Sequence, residues 1–337
     1  MLRNIFGQKN NKVDFWIKRE KLIDRLYKLY KPKTTFENDI KDNISSRTRA
    51  FIKVQDGCDN YCSYCIVPFL RGKPKTRSIN SLIREIKKRE KEGYKEIVLV
   101  GTDLRKVINQ KLKIKGLTSL LKVILEKTSI PRIRISSLWP TAITPELIDL
   151  IKKEPRICPH LHLSVQSGCE KTLKKMGRGY KIKRIIKLIK ELKKIPNLNL
   201  TADIIVGFPG EREKDFQATA NFVKKAKFLK VHIFRYSPRP GTLAAQMPNQ
   251  ISEKIKKERS KKLNAICQKI SKEVKTKYLN KIFPVLIENK KDNLWSGYTP
   301  NYLRVYLKNL SDLENQIVDV KLLRLYKDGF FAKIINN

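Results

Sequence analysis

From Thr48 to about Lys277 the chain repeats one pattern: a short apolar run, then a longer stretch with apolar residues at helical spacing. The short runs are Phe51 to Gln55, Glu96 to Val100, Arg132 to Ser136, Leu161 to Val165, Leu200 to Val206 and Lys230 to Phe234. Their length and β-branched content mark them as buried strands. Helices intervene. One is capped by Ser78 and stops at Gly93; another is capped by Thr144, takes Pro145 in its first turn and runs through Lys153. Strands alternating with helices predict an α/β fold with a parallel sheet. Six such repeats are too few to close an eight-fold barrel, so an open, partial parallel barrel is expected, with its chemistry at the strand C-terminal ends.

After a long basic helix, from about Ser252 to Lys277, the period changes to two. Phe283 to Glu288, Tyr302 to Leu307, Ile317 to Leu323 and Phe330 to Ile334 alternate apolar with polar, with a turn at Asp328-Gly329. This predicts a small all-β barrel. The first stretch has one helical pattern, Asp14 to Tyr30, followed by a polar linker from Pro32 to Ser46. The expected division is therefore 1–46, 47–278 and 279–337.

Composition narrows the class. No apolar run reaches transmembrane length and no signal peptide is legible at the N-terminus, so no membrane partner is expected. The chain holds 74 Lys+Arg against 32 Asp+Glu, a net charge of +42. Such a field attracts polyanions. The crowding of Lys, Ile and Asn also fits a coding sequence rich in A and T, so charge favours a nucleic-acid partner only in part. Trp295, Tyr298, Tyr302, Tyr306 and Tyr326 lie among basic residues in the last segment, a composition that suits an RNA surface as well as a core.

Six cysteines in 337 residues are no disulfide framework. Three of them, Cys58, Cys62 and Cys65, stand at Cys-x3-Cys-x2-Cys in a loop that follows the first strand. Structural zinc and ordinary ferredoxin clusters want four ligands. Three thiolates in one short loop suit a 4Fe-4S cluster with one open iron, able to chelate S-adenosylmethionine and pass it an electron. Thiols committed to metal fit a reducing, cytoplasmic location. Cys169 and Cys267 have no partner spacing and read as buried thiols. His160 and His162 alternate on one strand near Cys158, which could mimic a zinc site; packing is the preferred reading.

The spacing is the signature of the radical SAM enzymes, and several further stretches resemble one family within them, the methylthiotransferases. These are Val54 to Pro68 with Arg71-Gly72, Ile135 to Leu138, and His160 to Gly168. Met176-Gly177-Arg178 with Tyr180, Asp203 to Glu211, His232 to Ser237 and Arg239 to Thr242 continue the series. Together they cover about Arg49 to Met247, while Gly297 to Tyr302 resembles the start of the RNA-binding TRAM barrel. The nearest branch is the one that modifies threonylcarbamoyladenosine beside the tRNA anticodon.

The resemblance implies a radical SAM partial barrel followed by a TRAM-like barrel. It implies one 4Fe-4S cluster on Cys58, Cys62 and Cys65, with S-adenosylmethionine on its open iron. Tyr64 would lie near the adenine. Gly101, closing the second strand, would let backbone approach the methionyl part. Gln166 and Ser167 would hydrogen-bond ribose or substrate, and Arg178 would pair with the carboxylate. Gly207 and Gly210 would shape the turn after the fifth strand. The implied reaction adds a methylthio group at adenine C2, with the tRNA anticodon stem-loop and an electron donor as partners. Full-length members carry three further cysteines in an N-terminal domain that hold a second cluster; no cysteine precedes Cys58 here. Residues 1–46 then read as a remnant of that domain, and a separate polypeptide supplying the rest is one expectation. A chain that cleaves S-adenosylmethionine without inserting sulfur, and a non-catalytic RNA-binding remnant, stay open as alternatives.

Overall fold

The computed structural model describes residues 48–109 and 114–335. The helix and linker expected in residues 1–46 lie outside the described residues. Six strands form the main sheet: β1 (Arg49–Asp56), β2 (Glu96–Gly101), β3 (Arg132–Ile135), β4 (His160–Gln166), β5 (Asn199–Val206) and β6 (Lys230–Arg235). β1, β2 and β3 pair in parallel, as do β4, β5 and β6. The two halves meet where the chain leaves β3. After Ser136 it changes partner, and Ser137–Leu138 pairs in parallel with β4. A parallel bridge between Ile133 and Ile157 closes the seam further down. The result is one curled, open half-barrel with its strands in sequence order.

Alternation along each strand sets the two faces. Ile52, Ile97, Leu99, Ile133, Leu161, Leu163, Ala202 and Ile204 face outward and are buried beneath the helices. α1 (Ile79–Lys91) contributes Leu82 and Ile86 to this core, α2 (Leu117–Lys127) contributes Leu120, Leu121 and Ile124, and α3 (Pro145–Lys153) contributes Leu147. α4 (Ile182–Leu192) adds Ile185 and Ile189, and α5 (Glu213–Ala226) adds Phe216 and Val223. Of the two predicted caps, Thr144 accepts the Leu147 N–H, whereas Ser78 stands at the N-cap position of α1 without a side-chain cap bond. Ser252 accepts the Ile255 N–H at the start of α6 (Glu253–Thr276). The alternate, inward positions are mostly polar, with Gln55, Glu96, Arg134, His162 and Asp203 among them. A polar interior cannot be a packing core, so it is where the fold leaves room for chemistry.

The remaining strands, β7 (Ile282–Lys291), β8 (Leu294–Tyr298), β9 (Arg304–Leu307), β10 (Ile317–Tyr326) and β11 (Gly329–Ile334), close into a barrel in the order β7-β8-β9-β11-β10. Val285, Ile287, Trp295, Val305, Leu307, Val320, Leu322 and Phe330 fill it. The sequence pattern anticipates four of these strands and not β8. Gly297 interrupts its alternation, and a Cβ there would stand 2.0 Å from the Leu286 carbonyl oxygen, so close strand approach demands the residue that breaks the pattern. Tyr302, expected to open a strand, sits instead in a turn at φ 68° before β9.

The small barrel packs on the N-terminal ends of the half-barrel strands. Arg134 donates from Nε and Nη2 to the two oxygens of Glu96, at 2.6 and 3.1 Å, and from Nη1 to the Pro300 carbonyl at 3.0 Å. Arg132 reaches the Pro284 carbonyl and Asn199 that of Asn301, both at 2.9 Å. Tyr302 stacks on His160 with centroids 4.3 Å apart. Burial alone would raise the Glu96 pKa; Arg134, Arg49 and Arg132 around it hold it below the usual carboxylate value.

Candidate active site at the strand C-terminal ends

The cysteine loop leaves β1 at Asp56, on the end of the half-barrel away from the small barrel. Two residues fasten its start. Gln55 donates from Nε2 to the carbonyls of Asp56 and Gly57, at 2.8 and 2.7 Å, and its Oε1 accepts the Asp103 N–H at 2.8 Å. Asp56 Oδ1 accepts from the Gly57 N–H, Arg71 and Thr102. Burial works to raise the Asp56 pKa, but bonds from Lys53, Gly57 and Arg71 keep it below its usual value. Gly57 takes φ 77° against the Lys73 carbonyl, which a Cβ would meet at 2.2 Å. Only glycine fits that turn.

The loop is then held from behind by two segments distant in sequence. Ser63 donates its N–H to the Met176 carbonyl at 3.1 Å and its hydroxyl to the Lys175 carbonyl at 2.8 Å. Its own carbonyl accepts the Ala244 N–H at 2.8 Å. Thus the Met176-Gly177-Arg178 stretch and the turn after Arg239 serve as a brace. Within the loop the Cys65 N–H closes a turn onto the Cys62 carbonyl, and Asn60 Nδ2 lies 3.0 Å from Cys58 Sγ. Cys58 and Cys62 are buried and Cys65 is half-buried, all as free thiols. Burial pushes Cys62 up and pushes Cys65 to about 11; Cys58 adds to the rise at Cys62, and Cys62 and Cys58 add to it at Cys65. Among the described residues no three His, Cys, Asp or Glu side chains group tightly enough for a single metal ion. Ligands of a cluster stand further apart, because each binds a different iron.

Arg178 stands beside the thiols, 6 % exposed and with no carboxylate partner among the described residues. It donates to Tyr64 Oη at 2.7 Å and to the Ser164 carbonyl at 3.2 Å, and its Nε is buried without a partner. Its guanidinium lies 3.5 Å from the centroid of Trp139. Arg105 stacks on the same indole at 4.0 Å, so the ring separates two cations. Arg105 is compensated by Asp103, which accepts its Nε and Nη2 at 2.8 and 2.6 Å and takes Asn60 Nδ2 at 2.6 Å. Burial would raise Asp103, yet the bonds from Arg105 and Asn60 keep it below the usual range. Arg178 has no such carboxylate. A buried cation without a counter-ion is costly unless a ligand supplies the negative charge.

The other expected site residues fall at the same end, with different surroundings. Gly101 closes β2 as expected; a Cβ there would press on Leu104 and Gln55, at 2.6 and 3.3 Å. Gln166 ends β4 at φ 73°, a strained position for a non-glycine residue. Ser167 turns its hydroxyl away from the half-barrel interior toward α5, 3.2 Å from Thr219 Oγ1, and accepts the Cys169 N–H. Gly207 and Gly210 form the turn after β5 at φ 72° and 71°. Asn60, Asp103, Arg105 and Trp139 were not singled out from the sequence. Their only signal was position, because Gly101-Thr102-Asp103 and Leu138-Trp139-Pro140 each follow directly on a strand.

Residues 52–223 match the profile of the Radical SAM superfamily. The chain belongs to the radical SAM superfamily. Its relatives place it among the methylthiotransferases. The threonylcarbamoyladenosine tRNA methylthiotransferase MtaB of Bacillus subtilis (strain 168) is 36% identical over 304 residues, covering 87% of this chain and 67% of that protein. MtaB of Thermotoga maritima is 40% identical over 268 residues, 79% of this chain and 61% of that one. A tRNA-2-methylthio-N(6)-dimethylallyladenosine synthase of Natranaerobius thermophilus is 37% identical, covering 90% and 68%. This radical SAM chain thus spans about two thirds of the length of these relatives. The fold also matches the radical S-adenosylmethionine methyltransferase TsrM of Kitasatospora setae, at a TM-score of 0.50 and 16% identity, over 58% of this chain and 38% of that one. No helix among the described residues is long and apolar enough to cross a membrane.

A cavity of about 670 Å³ lies away from the thiols, between β6, α6 and the small barrel. Lys230, Lys272, Lys275, Arg304 and Lys327 line it together with Tyr298, Tyr302 and Tyr326. Cations and aromatic faces in one cleft match the chemistry of nucleic-acid backbone and bases.

Proposed function

We propose that this chain is a tRNA methylthiotransferase, adding a methylthio group at C2 of the threonylcarbamoyladenosine adjacent to the anticodon. The observation that carries the reading is the pairing of a three-thiol loop with a buried, uncompensated arginine. Cys58, Cys62 and Cys65 would hold a 4Fe-4S cluster, and Arg178 would take the carboxylate of S-adenosylmethionine through the Nε that has no protein partner. The donors fit: three free thiols in one braced loop, an Asn60 amide N–H aimed at one sulfur, and a cation that needs an anion. When bound, the cluster supplies the electron that cleaves S-adenosylmethionine to an adenosyl radical. Tyr64 fixes the Arg178 fork, and Trp139 keeps that cation apart from Arg105. The basic cleft beside the small barrel would hold the anticodon stem-loop. An electron donor completes the system.

A second reading is a chain that cleaves S-adenosylmethionine without inserting sulfur. One observation favours it. The remaining cysteines are buried in separate places: Cys158 behind Arg134, Cys169 beside Asp215, and Cys267 on α6. They cannot gather round a second cluster.

Anaerobic reconstitution tests both. About four irons and four sulfides per chain are expected, with one three-cysteine set available. Cys62→Ala should abolish the brown chromophore and the formation of 5′-deoxyadenosine. Mass spectrometry of nucleosides from treated tRNA then separates the readings: methylthioadenosine supports the first, and 5′-deoxyadenosine alone supports the second. Stoichiometric zinc without iron would defeat both.

A further inference from the structure

The chain contains three histidines, and all of them face the interior of the half-barrel: His160 and His162 on β4, His232 on β6. His162 Nε2 lies 3.0 Å from Asp203 Oδ2, and its Nδ1 lies 2.7 Å from Thr201 Oγ1. His160 Nε2 reaches the same hydroxyl at 3.0 Å. His232 stands edge-on to His162, with centroids 5.4 Å apart.

A carboxylate only accepts, so His162 Nε2 donates to Asp203. Thr201 Oγ1 bridges His162 Nδ1 and His160 Nε2. His160 Nδ1 is buried without a partner, and burial and the nearby Arg134 push the His160 pKa well below the usual value. The relay ends on the Asp203 carboxylate.

Asp203 stands on the inward face of β5. Among the described residues it pairs with no lysine or arginine, and its Oδ1 makes no hydrogen bond. Its side chain remains 21 % exposed, so a ligand can reach it. It sits midway along β5, between the small barrel at the Asn199 end and the cysteine loop at the Val206 end.

We propose that Asp203 is the hydrogen-bond acceptor for an N–H of the purine base drawn into the half-barrel, with His162, Thr201 and His160 as its positioning residues. The inference rests on the tRNA reading above and adds a specificity determinant to it. A fixed acceptor-only group favours a base edge with an exocyclic N–H. It rejects an edge that offers only ring nitrogens, since two acceptors would then face each other in a site shielded from bulk water.

The test uses the cluster-free chain of 337 residues and two RNA stem-loops that differ at one loop position, adenosine or purine riboside. Binding is measured by fluorescence anisotropy at near-physiological salt, against a DNA duplex of equal length. The wild-type protein should bind the adenosine hairpin about tenfold more tightly than the purine hairpin, the scale of one bond to a charged acceptor. Asp203→Ala should bind both hairpins equally while keeping the salt dependence of the wild type. Thr201→Val, which cuts the relay without removing the carboxylate, should lose part of the discrimination. If Asp203→Ala does not fold, the isosteric Asp203→Asn is read in its place, with a reduced ratio expected. Retained discrimination in the Asp203 variant, or equal wild-type binding to both hairpins, overturns the subsite and leaves the tRNA reading standing. Wild-type binding to RNA no tighter than to the DNA duplex overturns both.

Discussion

Arg178 is the residue on which the candidate site turns. It is buried beside the thiols and stacked on Trp139, its fork is held by Tyr64, and it lacks a carboxylate. Replacing Arg178 with Ala should weaken S-adenosylmethionine binding by about tenfold to a hundredfold, the range of a charged hydrogen bond, while iron content stays at the wild-type level. Equilibrium binding to the reconstituted protein measures the first quantity and iron analysis the second. Equal loss of both would make Arg178 a brace for the loop instead of a ligand. The position of Arg178 was legible because Met176-Gly177-Arg178 is a recognisable stretch. Its stacking partner was not, since nothing in the spacing from Trp139 to Arg178 says that the ring and the guanidinium meet. His160 offers a second test. Its folded pKa is depressed, so the stability it contributes is present above about pH 6.5 and is lost as the pH falls toward the folded value. His160→Phe keeps an aromatic face for Tyr302 and removes the titration. The melting temperature of the wild type should therefore fall more steeply than that of the variant between pH 7 and pH 5.

At the scale of elements, the join between the two barrels is built from arginines around two carboxylates. Glu96 opens β2, where Arg134 grips both its oxygens and Arg49 and Arg132 approach to 4.0 Å. Arg132 and Arg134 also reach carbonyls of the small barrel, and Arg49 pairs with its Glu288 at 2.6 Å, so Glu96 neutralises chiefly the two arginines that bond those carbonyls. Glu96→Gln should cost about 3–5 kcal/mol, the penalty for stranding buried charge, measured by urea denaturation. A loss within about 0.5 kcal/mol would mean that the arginines relax to solvent. The strands themselves were legible, because burial on the helix-facing side imposes a visible apolar alternation. β8 was not: its close approach to β7 requires Gly297, and a glycine carries no apolar signal.

For the molecule as a whole, charge and shape divide the work. The thiol loop occupies one end of the half-barrel and the small barrel the other. The basic, tyrosine-lined cleft opens at the small-barrel end, between that barrel, β6 and α6. Binding of tRNA should fall steeply as salt rises, with a slope set by the number of phosphates contacted. Charge reversal at Lys272, Lys275 and Lys327 should lower that slope more than the same change at three lysines of α4. Electrophoretic mobility shifts over a salt series measure both, and equal effects would mean that the cleft is not the RNA site.

The sequence by itself determined the half-barrel, the small barrel and the position of the thiol loop. Each of these is written in local periodicity or in the spacing of a few residues within one segment. Only the tertiary structure decided which distant groups meet. It set Trp139 between Arg105 and Arg178, turned Ser167 outward against Thr219 of α5, placed Tyr302 on His160, and ran a hydrogen-bond relay through Thr201 to Asp203. These contacts join residues on different strands and loops, and their geometry comes from how the sheet curls. Local sequence preference carries no record of curvature, so the polar interior could be placed only after the strands were set side by side.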